Sequence, residues 1–235
     1  MEQFFRTYLL FGAEAMEKLK NSHVAIFGVG GVGSFTVEAL VRSGVGEITI
    51  IDFDTVDITN INRQIPALLS TVGQLKTQVM KDRIMLINDE IKLNIFSEKY
   101  LPENSEIFFK EKYDYVVDAI DIVTSKIHLI KTCKEMDIPI ISSMGMGNKV
   151  DPTKIQITDL SKTSMCPLAK VMRKELKDRG ITKLDVVYST EKARKPVESI
   201  SVVGKRELAA SCAFVPSVGG LFLASYVIRK LTGEI

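Results

Sequence analysis

The sequence predicts an α/β fold in which a mostly parallel, doubly wound sheet is covered by helices on both faces. Three observations predict it. An apolar, β-branched run at residues 23–27 passes through a glycine-rich turn into a helical stretch and then a second apolar run, ITIID. YDYVVDAID at 113–121 is nearly continuously apolar, the character of a strand covered on both faces. The chain has 235 residues, 46% of them hydrophobic and 26% charged, an ordinary globular composition able to bury a sizeable core. Disorder, collagen and coiled coil are thereby excluded.

The elements follow in order. HVAIF at 23–27 reads as a strand ending at Gly28, Val32 to Ser43 as a helix closed by Gly44, and ITIID as a strand ending at Asp52. This is a βαβ unit, whose crossover is right-handed and whose strands are parallel, as in Rossmann-like folds. Val72, Leu75, Val79, the Arg83 stem and Ile87 recur at helical spacing up to Asn88, and Leu93 to Phe96 reads as a strand. After the strand in 113–121 come a helix from Ser125 to Met136, stopped before Pro139, and a strand in IPIISS.

Beyond Gly145 and Gly147 the texture changes. Asp151-Pro152 reads as a turn, KIQITDL as a strand, and Cys166 to Arg179 as a basic helix with Pro167 in its first turn. DVVYST is the next strand, 190–210 an exposed loop, and a last helix opens at Pro216 and runs to about Leu231. No linker divides the chain, so a single domain is expected over 1–235, with a nucleotide-binding core at 1–150 and a C-terminal substrate and dimer region at 151–235.

Cys133, Cys166 and Cys212 lie far apart with no C-x-x-C pair, so neither a disulfide scaffold nor a structural zinc is expected, and a reducing, cytoplasmic compartment fits best. The N-terminal segment carries Glu2, Glu14 and Glu17 among its apolar residues and does not read as a signal peptide. The run Ala213 to Ile228 is apolar but interrupted by Pro216, Ser217, Gly219, Gly220 and Ser225; a buried helix is expected, with peripheral membrane association as the alternative. The net charge of +2 conceals an asymmetry: residues 1–150 carry 16 Lys and Arg against 20 Asp and Glu, and residues 151–206 carry 13 against 7. A basic segment beside an acidic body suits contact with a polyanion at one edge, and a solvated lysine face accounts for the same excess.

Gly28-Val29-Gly30-Gly31-Val32-Gly33 follows a strand and opens a helix. Glycines there let backbone approach a phosphate, whose charge meets unpaired N–H groups at the helix N-terminus. Asp52, at the end of the second strand, can accept from a ribose hydroxyl. The bland alternative is a glycine turn that merely packs helix on strand. A nicotinamide cofactor would suit the glycines, but the polar run from Asp52 through Asp54, Asp57, Thr59, Asn60 and Asn62 to Arg63 and Gln64 is more than hydride transfer needs. Arg63 and Lys76 can neutralise a triphosphate, and Asp121, with Asp54 as a weaker second, can hold Mg2+. Singly, Arg63 and Lys76 read as surface charges and Asp121 as a helix N-cap; together they read as tools for attack at phosphorus.

GVGGVGS, IDFDTVDITNINRQ, VGQLK and AIDIVTSK, in that order, resemble the ubiquitin-activating-enzyme-like adenylation superfamily that includes MoeB and ThiF, over roughly residues 1–150. That family converts a carboxylate into an acyl-adenylate with ATP and Mg2+. The resemblance implies that Gly28, Gly30, Gly31, Gly33, Ser34 and Asp52 hold the nucleotide and that Thr59, Asn60, Asn62 and Arg63 line it. It further implies that Arg63 and Lys76 stabilise the phosphates, that Asp121 sits at the magnesium, and that Arg6 reaches the neighbouring subunit's site in a homodimer. The zinc cysteines of MoeB and ThiF are missing, the family's Asp-Asn is Asp121-Ile122, and its following arginine is Lys126.

These departures, with GMGNKVDPTKIQITDLSKT at 145–163, PLAKVMRKELK and VVYSTE, resemble the branch of tRNA threonylcarbamoyladenosine dehydratases. The implied activity is adenylation of the modified base's carboxylate followed by capture from within the same side chain, which needs no enzyme nucleophile. The three cysteines are accordingly left outside the catalytic set. Lys170, Arg173, Lys174 and Lys177 are expected to face the RNA, and His23 and His128, with no evident partner, to be structural. Two rival readings are an adenylyltransferase for a ubiquitin-like sulfur carrier and a nucleotide-binding adaptor in sulfur relay with a cysteine desulfurase.

Overall fold

The computed structural model describes residues 2–197 and 209–235. Its strands are β1 (His23–Phe27), β2 (Glu47–Ile51), β3 (Lys92–Phe96), β4 (Tyr115–Asp118), β5 (Ile140–Ser143), β6 (Ile155–Asp159) and β7 (Asp185–Ser189). They form one sheet in the order β3-β2-β1-β4-β5-β7-β6. Every pairing is parallel save β6 with β7. The helices are α1 (Phe5–Lys20), α2 (Gly33–Arg42), α3 (Lys76–Ile87), α4 (Val123–Glu135), α5 (Pro167–Lys177) and α6 (Phe214–Thr232). Chain order reverses between β1 and β4, so the crevice for a ligand lies beyond their carboxyl ends.

The central strands are apolar throughout because both faces are covered. Val24 and Ile26 of β1 join Leu40 of α2, Met80 and Ile84 of α3 and Leu223 and Val227 of α6 in one core. Ala25 and Phe27 point the other way, to Leu129 and Ile130 of α4 and Met172 and Leu176 of α5. Phe27 also meets Tyr100 and Phe108 edge-on. The C-terminal region is thus continuous with the core: β7 lies directly against β5, and α6 covers α2.

The contact of α6 with α2 is backbone-close. A methyl at Gly220 would fall 2.2 Å from the Val32 carbonyl oxygen, and Thr36 Oγ1 donates to the Gly220 carbonyl at 3.0 Å. α6 is long and apolar enough to cross a membrane, yet half of that window is buried within the protein, as for a core helix.

Three expectations are corrected. α6 begins at Phe214 and not at Pro216, which sits in the first turn where its missing N–H costs nothing. α3 starts at Lys76 because Gly73, at φ 88°, and the pairing of Val56 with Gln74 hold the preceding residues in a turn. The basic helix is shorter than Cys166 to Arg179, running Pro167–Lys177. The N-terminal residues, for which the sequence predicts no element, form α1, which is interrupted at Gly12 (φ 80°, ψ 174°). Of the expected loop at 190–210, residues 198–208 lie outside the described residues.

Candidate active site

The glycine turn is shaped by two strict requirements. Gly28 has φ 93° and lies so close to the end of β4 that a methyl would sit 2.7 Å from the Ala119 carbonyl oxygen; one at Gly33 would sit 1.8 Å from the Gly28 oxygen. Gly30 and Gly31 look outward instead. A methyl at Gly30 would meet only Gln64 Nε2, at 3.8 Å, while one at Gly31 would approach Pro216 of α6 at 3.2 Å and Arg63 Cγ at 3.3 Å. No side-chain oxygen caps α2, and the Ser34 N–H closes on the Gly30 carbonyl at 3.0 Å, so the Gly33 and Phe35 N–H groups are the ones left for an incoming anion. The residues therefore suit a phosphate-bearing ligand, with α6 and the Arg63 stem as its outer wall.

Asp52 is buried just past β2. Its Oδ2 accepts the Val29 N–H at 2.7 Å and its Oδ1 the Asp54 N–H at 2.8 Å, which leaves each oxygen one further lone pair for a ribose hydroxyl. Burial pushes its carboxyl above the ordinary range, opposed by the Lys76 charge and those two N–H donors. Lys76, at the first position of α3, is buried, and its Nζ lies 2.8 Å from Asp54 Oδ2. The backbone holds this pair in register, since the Lys76 N–H donates to the Asp54 carbonyl at 3.0 Å. Asp54 is thereby occupied by an ammonium, which disfavours it as the second magnesium ligand.

Other predicted residues are drawn into bracing the loop. Asn60 is buried and closes a capping box with Asp57, accepting the Asp57 N–H at 3.2 Å. Thr59 Oγ1 donates to Asp57 Oδ1 at 2.6 Å. Ser34 is fully buried, and its Oγ accepts the Ile65 N–H at 3.3 Å, tying α2 to the loop. Asn62 Nδ2 donates to the Ser211 carbonyl at 3.0 Å. Arg63 Nη1 donates to the Thr59 carbonyl and to Asn62 Oδ1, both at 2.8 Å, folded against its own loop beside Gly31. Asp121 is exposed just past β4; it is not an N-cap, because α4 is preceded by Ile122 with no side-chain cap. Arg6 is exposed on the stretch of α1 before Gly12, apart from this cluster.

Gln64 closes the polar run that begins at Asp52. Its Oε1 is buried with no hydrogen-bond partner, the one such side-chain atom among the described residues, and its amide lies over Gly30. Polarity directly after Arg63 was the available signal. On the far side of the crevice, Lys149 is buried and donates to the Gly145 carbonyl at 2.6 Å; burial pushes its amine below the usual lysine range. Glu191, also buried, accepts the Val150 and Asp151 N–H groups. Nothing local marks either residue.

Cys133 is buried, which pushes its thiol well up; Cys166 is buried just before α5, and Cys212 Sγ lies 3.5 Å from the Lys149 carbonyl. Of the basic set on α5, Lys170, Lys174 and Lys177 are exposed, but Arg173 is turned inward to the Thr163 carbonyl at 2.8 Å and the Thr163 hydroxyl. His23 does have partners: Thr49 Oγ1 at 2.7 Å and Glu47 at 3.4 Å, at the sheet's amino edge, where Lys92 pairs with Glu47 and Glu111. His128 Nδ1 meets the Tyr100 hydroxyl at 2.9 Å.

A glycine turn at the switch point, a carboxylate at the end of β2 and a cation at the head of α3 define a nucleotide-binding protein of the doubly wound class. The chain belongs to the ThiF family, whose model matches residues 4–235. It is 49% identical to the tRNA threonylcarbamoyladenosine dehydratase of Bacillus subtilis, over 100% of this chain and 96% of that one. Against the Escherichia coli protein of the same name identity is 38%, over 99% and 94%. The crystal structure of the E. coli tRNA N6-threonylcarbamoyladenosine dehydratase in complex with ATP superposes with a TM-score of 0.91 at 37% identity, covering 99% of this chain and 95% of that one.

Proposed function

We propose that the protein dehydrates threonylcarbamoyladenosine in tRNA at the expense of ATP. The observation that carries the reading is the end-to-end likeness to dehydratases, 49% over 96% of one of them, on a chain whose own crevice suits a nucleotide. An E. coli relative bound ATP in one structure and AMP in another, which supports ATP as substrate and AMP as product.

In this reading the substrate carboxylate attacks the α-phosphorus, pyrophosphate leaves, and an acyl-adenylate forms. A nucleophile of the same carbamoyl side chain then attacks the acyl carbon, losing its proton as the ring closes. AMP departs with the carboxylate oxygen, so the nucleoside loses the elements of one water. Asp52 holds the ribose, the glycine turn and the head of α2 receive the phosphates, and Lys76 and Arg63 neutralise charge as pyrophosphate leaves. Both cations must exchange partners, Lys76 from Asp54 and Arg63 from its own loop. The exposed Asp121 carboxylate, a hard oxygen donor, would hold Mg2+, which supplies charge neutralisation on the phosphates when bound. The chain acts as a single adenylation domain, with 1–150 as the nucleotide core and 151–235 as the substrate and dimer region.

The polyanionic partner is tRNA carrying the modified base, approached by Lys170, Lys174 and Lys177, in the cytoplasm. A homodimer is supported by the first half of α1, where Phe5, Leu9 and Leu10 are 56%, 66% and 77% exposed beside Arg6. A sulfur-relay partner is retained as an extension of the reading. The test is stoichiometry: AMP and pyrophosphate released with ATP, Mg2+ and tRNA that does or does not carry threonylcarbamoyladenosine. One AMP per modified tRNA, and none with unmodified tRNA, is expected. AMP formation that ignores tRNA and follows a carrier protein's C-terminus would favour the adenylyltransferase reading instead.

A further inference from the structure

Directly beneath Asp121 lies a second lysine–aspartate pair that nucleotide binding does not use. Asp118, the last residue of β4, and Lys126, in α4, are both fully buried, with Nζ 2.7 Å from Asp118 Oδ2. Ser142 of β5 completes the group: its Oγ donates to the same Oδ2 at 2.6 Å and receives the Lys126 ammonium at 3.1 Å. The remaining oxygen, Asp118 Oδ1, accepts the Ile120 N–H at 3.1 Å. Ile120 is the residue before Asp121.

The other side of the same short segment is stitched to the glycine turn. The Ala119 N–H donates to the Phe27 carbonyl at 2.8 Å, and the Ala119 carbonyl packs where Gly28 leaves room for it. The segment 118–121 is therefore held from below by a charged triad and from the side by the turn expected to receive the phosphates. Stability alone does not call for charges here, since a well-packed apolar trio of similar volume is commonly as stable as a buried ion pair. What charges add is direction: charge-assisted bonds are short and fix angles that apolar contacts leave soft.

We propose that Lys126, Asp118 and Ser142 are positioning residues that aim the Asp121 carboxylate at the divalent cation carried by ATP. The inference rests on the reading given above for Asp121. Because Ser142 leads through Ser143 and Met144 to Gly145, whose carbonyl accepts the Lys149 ammonium, the triad also joins the end of β4 to the segment that follows its neighbour β5.

The test uses the full-length protein with a non-hydrolysable ATP analogue and Mn2+, whose free ion is followed by electron paramagnetic resonance, alongside thermal melting. Ser142→Ala and the paired change Lys126→Met with Asp118→Asn remove charge-assisted bonds that fix the Asp118 side chain while leaving no buried charge unpaired. Both are expected to melt near the parent and to bind Mn2+ about 10-fold more weakly, the usual lower range for loss of an outer-sphere partner. Parent-like Mn2+ affinity in these variants, with Asp121→Asn weakened, overturns the positioning role alone. Parent-like affinity in Asp121→Asn overturns the role of Asp121 and the positioning role with it. Should the paired variant melt early, Ser142→Ala decides.

Discussion

Two lysine–aspartate pairs of nearly equal length, Lys76–Asp54 and Lys126–Asp118, lie in opposite surroundings. Lys76 and Asp54 stand 2.8 Å apart with side chains 6% and 48% exposed; Lys126 and Asp118 stand 2.7 Å apart, both at 0%. The first keeps its aspartate half in solvent, where water and, in the role proposed for Lys76, an incoming phosphate can replace it. The second is sealed by β4, β5 and α4 and has nowhere to exchange. Equal distance thus conceals unequal function: solvent access decides whether an ion pair is a reservoir of charge for a ligand or a fixed part of the frame.

The comparison breaks most visibly at the sealed pair. Lys126→Met alone leaves Asp118 buried without a counter-charge, and is expected to cost about 3–5 kcal/mol. At roughly 2–4 °C per kcal/mol for a chain of this size, a fall near 10 °C in melting temperature should follow. A melting temperature equal to the parent's would show that the pair is not sealed in solution. Lys76→Ala should invert the pattern. Asp54 is left half in water, so the melting temperature should fall by much less than at Lys126, while AMP formation drops at least ~100-fold for loss of a charge at the departing pyrophosphate. A Lys76→Ala enzyme as active as the parent would deny the open pair its role.

The smallest effect lies at the sheet's amino edge and sharpens what sealing means for an uncharged group. Burial pushes the His23 imidazole below its ordinary 6.5, against the pull of Glu47. The unfolded chain therefore takes up the proton first as pH falls. The His23 contribution is flat above about pH 6.5 and turns unfavourable below it, until the folded imidazole also protonates. Melting curves between pH 8 and pH 5 should show this decline in the parent and less of it in His23→Gln. An identical decline in both would assign it to other groups.

What could be read in advance follows the same division. The glycine turn, Asp52 and Lys76 were legible because each sits at the end of an element visible in a short stretch of chain: strand into turn, strand into carboxylate, turn into helix. The triad was not. Lys126 stood out only as a lysine where the resembled family has arginine, since Asp118 and Ser142 meet it only once β4 and β5 lie side by side. Thr59 and Asn60 are expected to line the nucleotide, but local bonding to Asp57 claims their side chains, a competition that residue type does not reveal. Arg173 shares the helical spacing of Lys170 and Lys174, yet Thr163, brought beside it by the turn before α5, draws it inward. α1 is hidden in the sequence because Gly12 interrupts its periodicity, although Ala15, Met16 and Leu19 are buried.

The central claim is tested most directly on the nucleoside. tRNA bearing threonylcarbamoyladenosine would be incubated with the purified protein, ATP and Mg2+, digested mildly so that a ring does not reopen, and weighed by mass spectrometry beside an Arg63→Ala control. Loss of one water from the modified nucleoside, matched by AMP and abolished by Arg63→Ala, is the predicted result. An unchanged nucleoside, with pyrophosphate exchanging into ATP in the presence of a carrier protein, would contradict the account and leave the crevice in the service of another carboxylate.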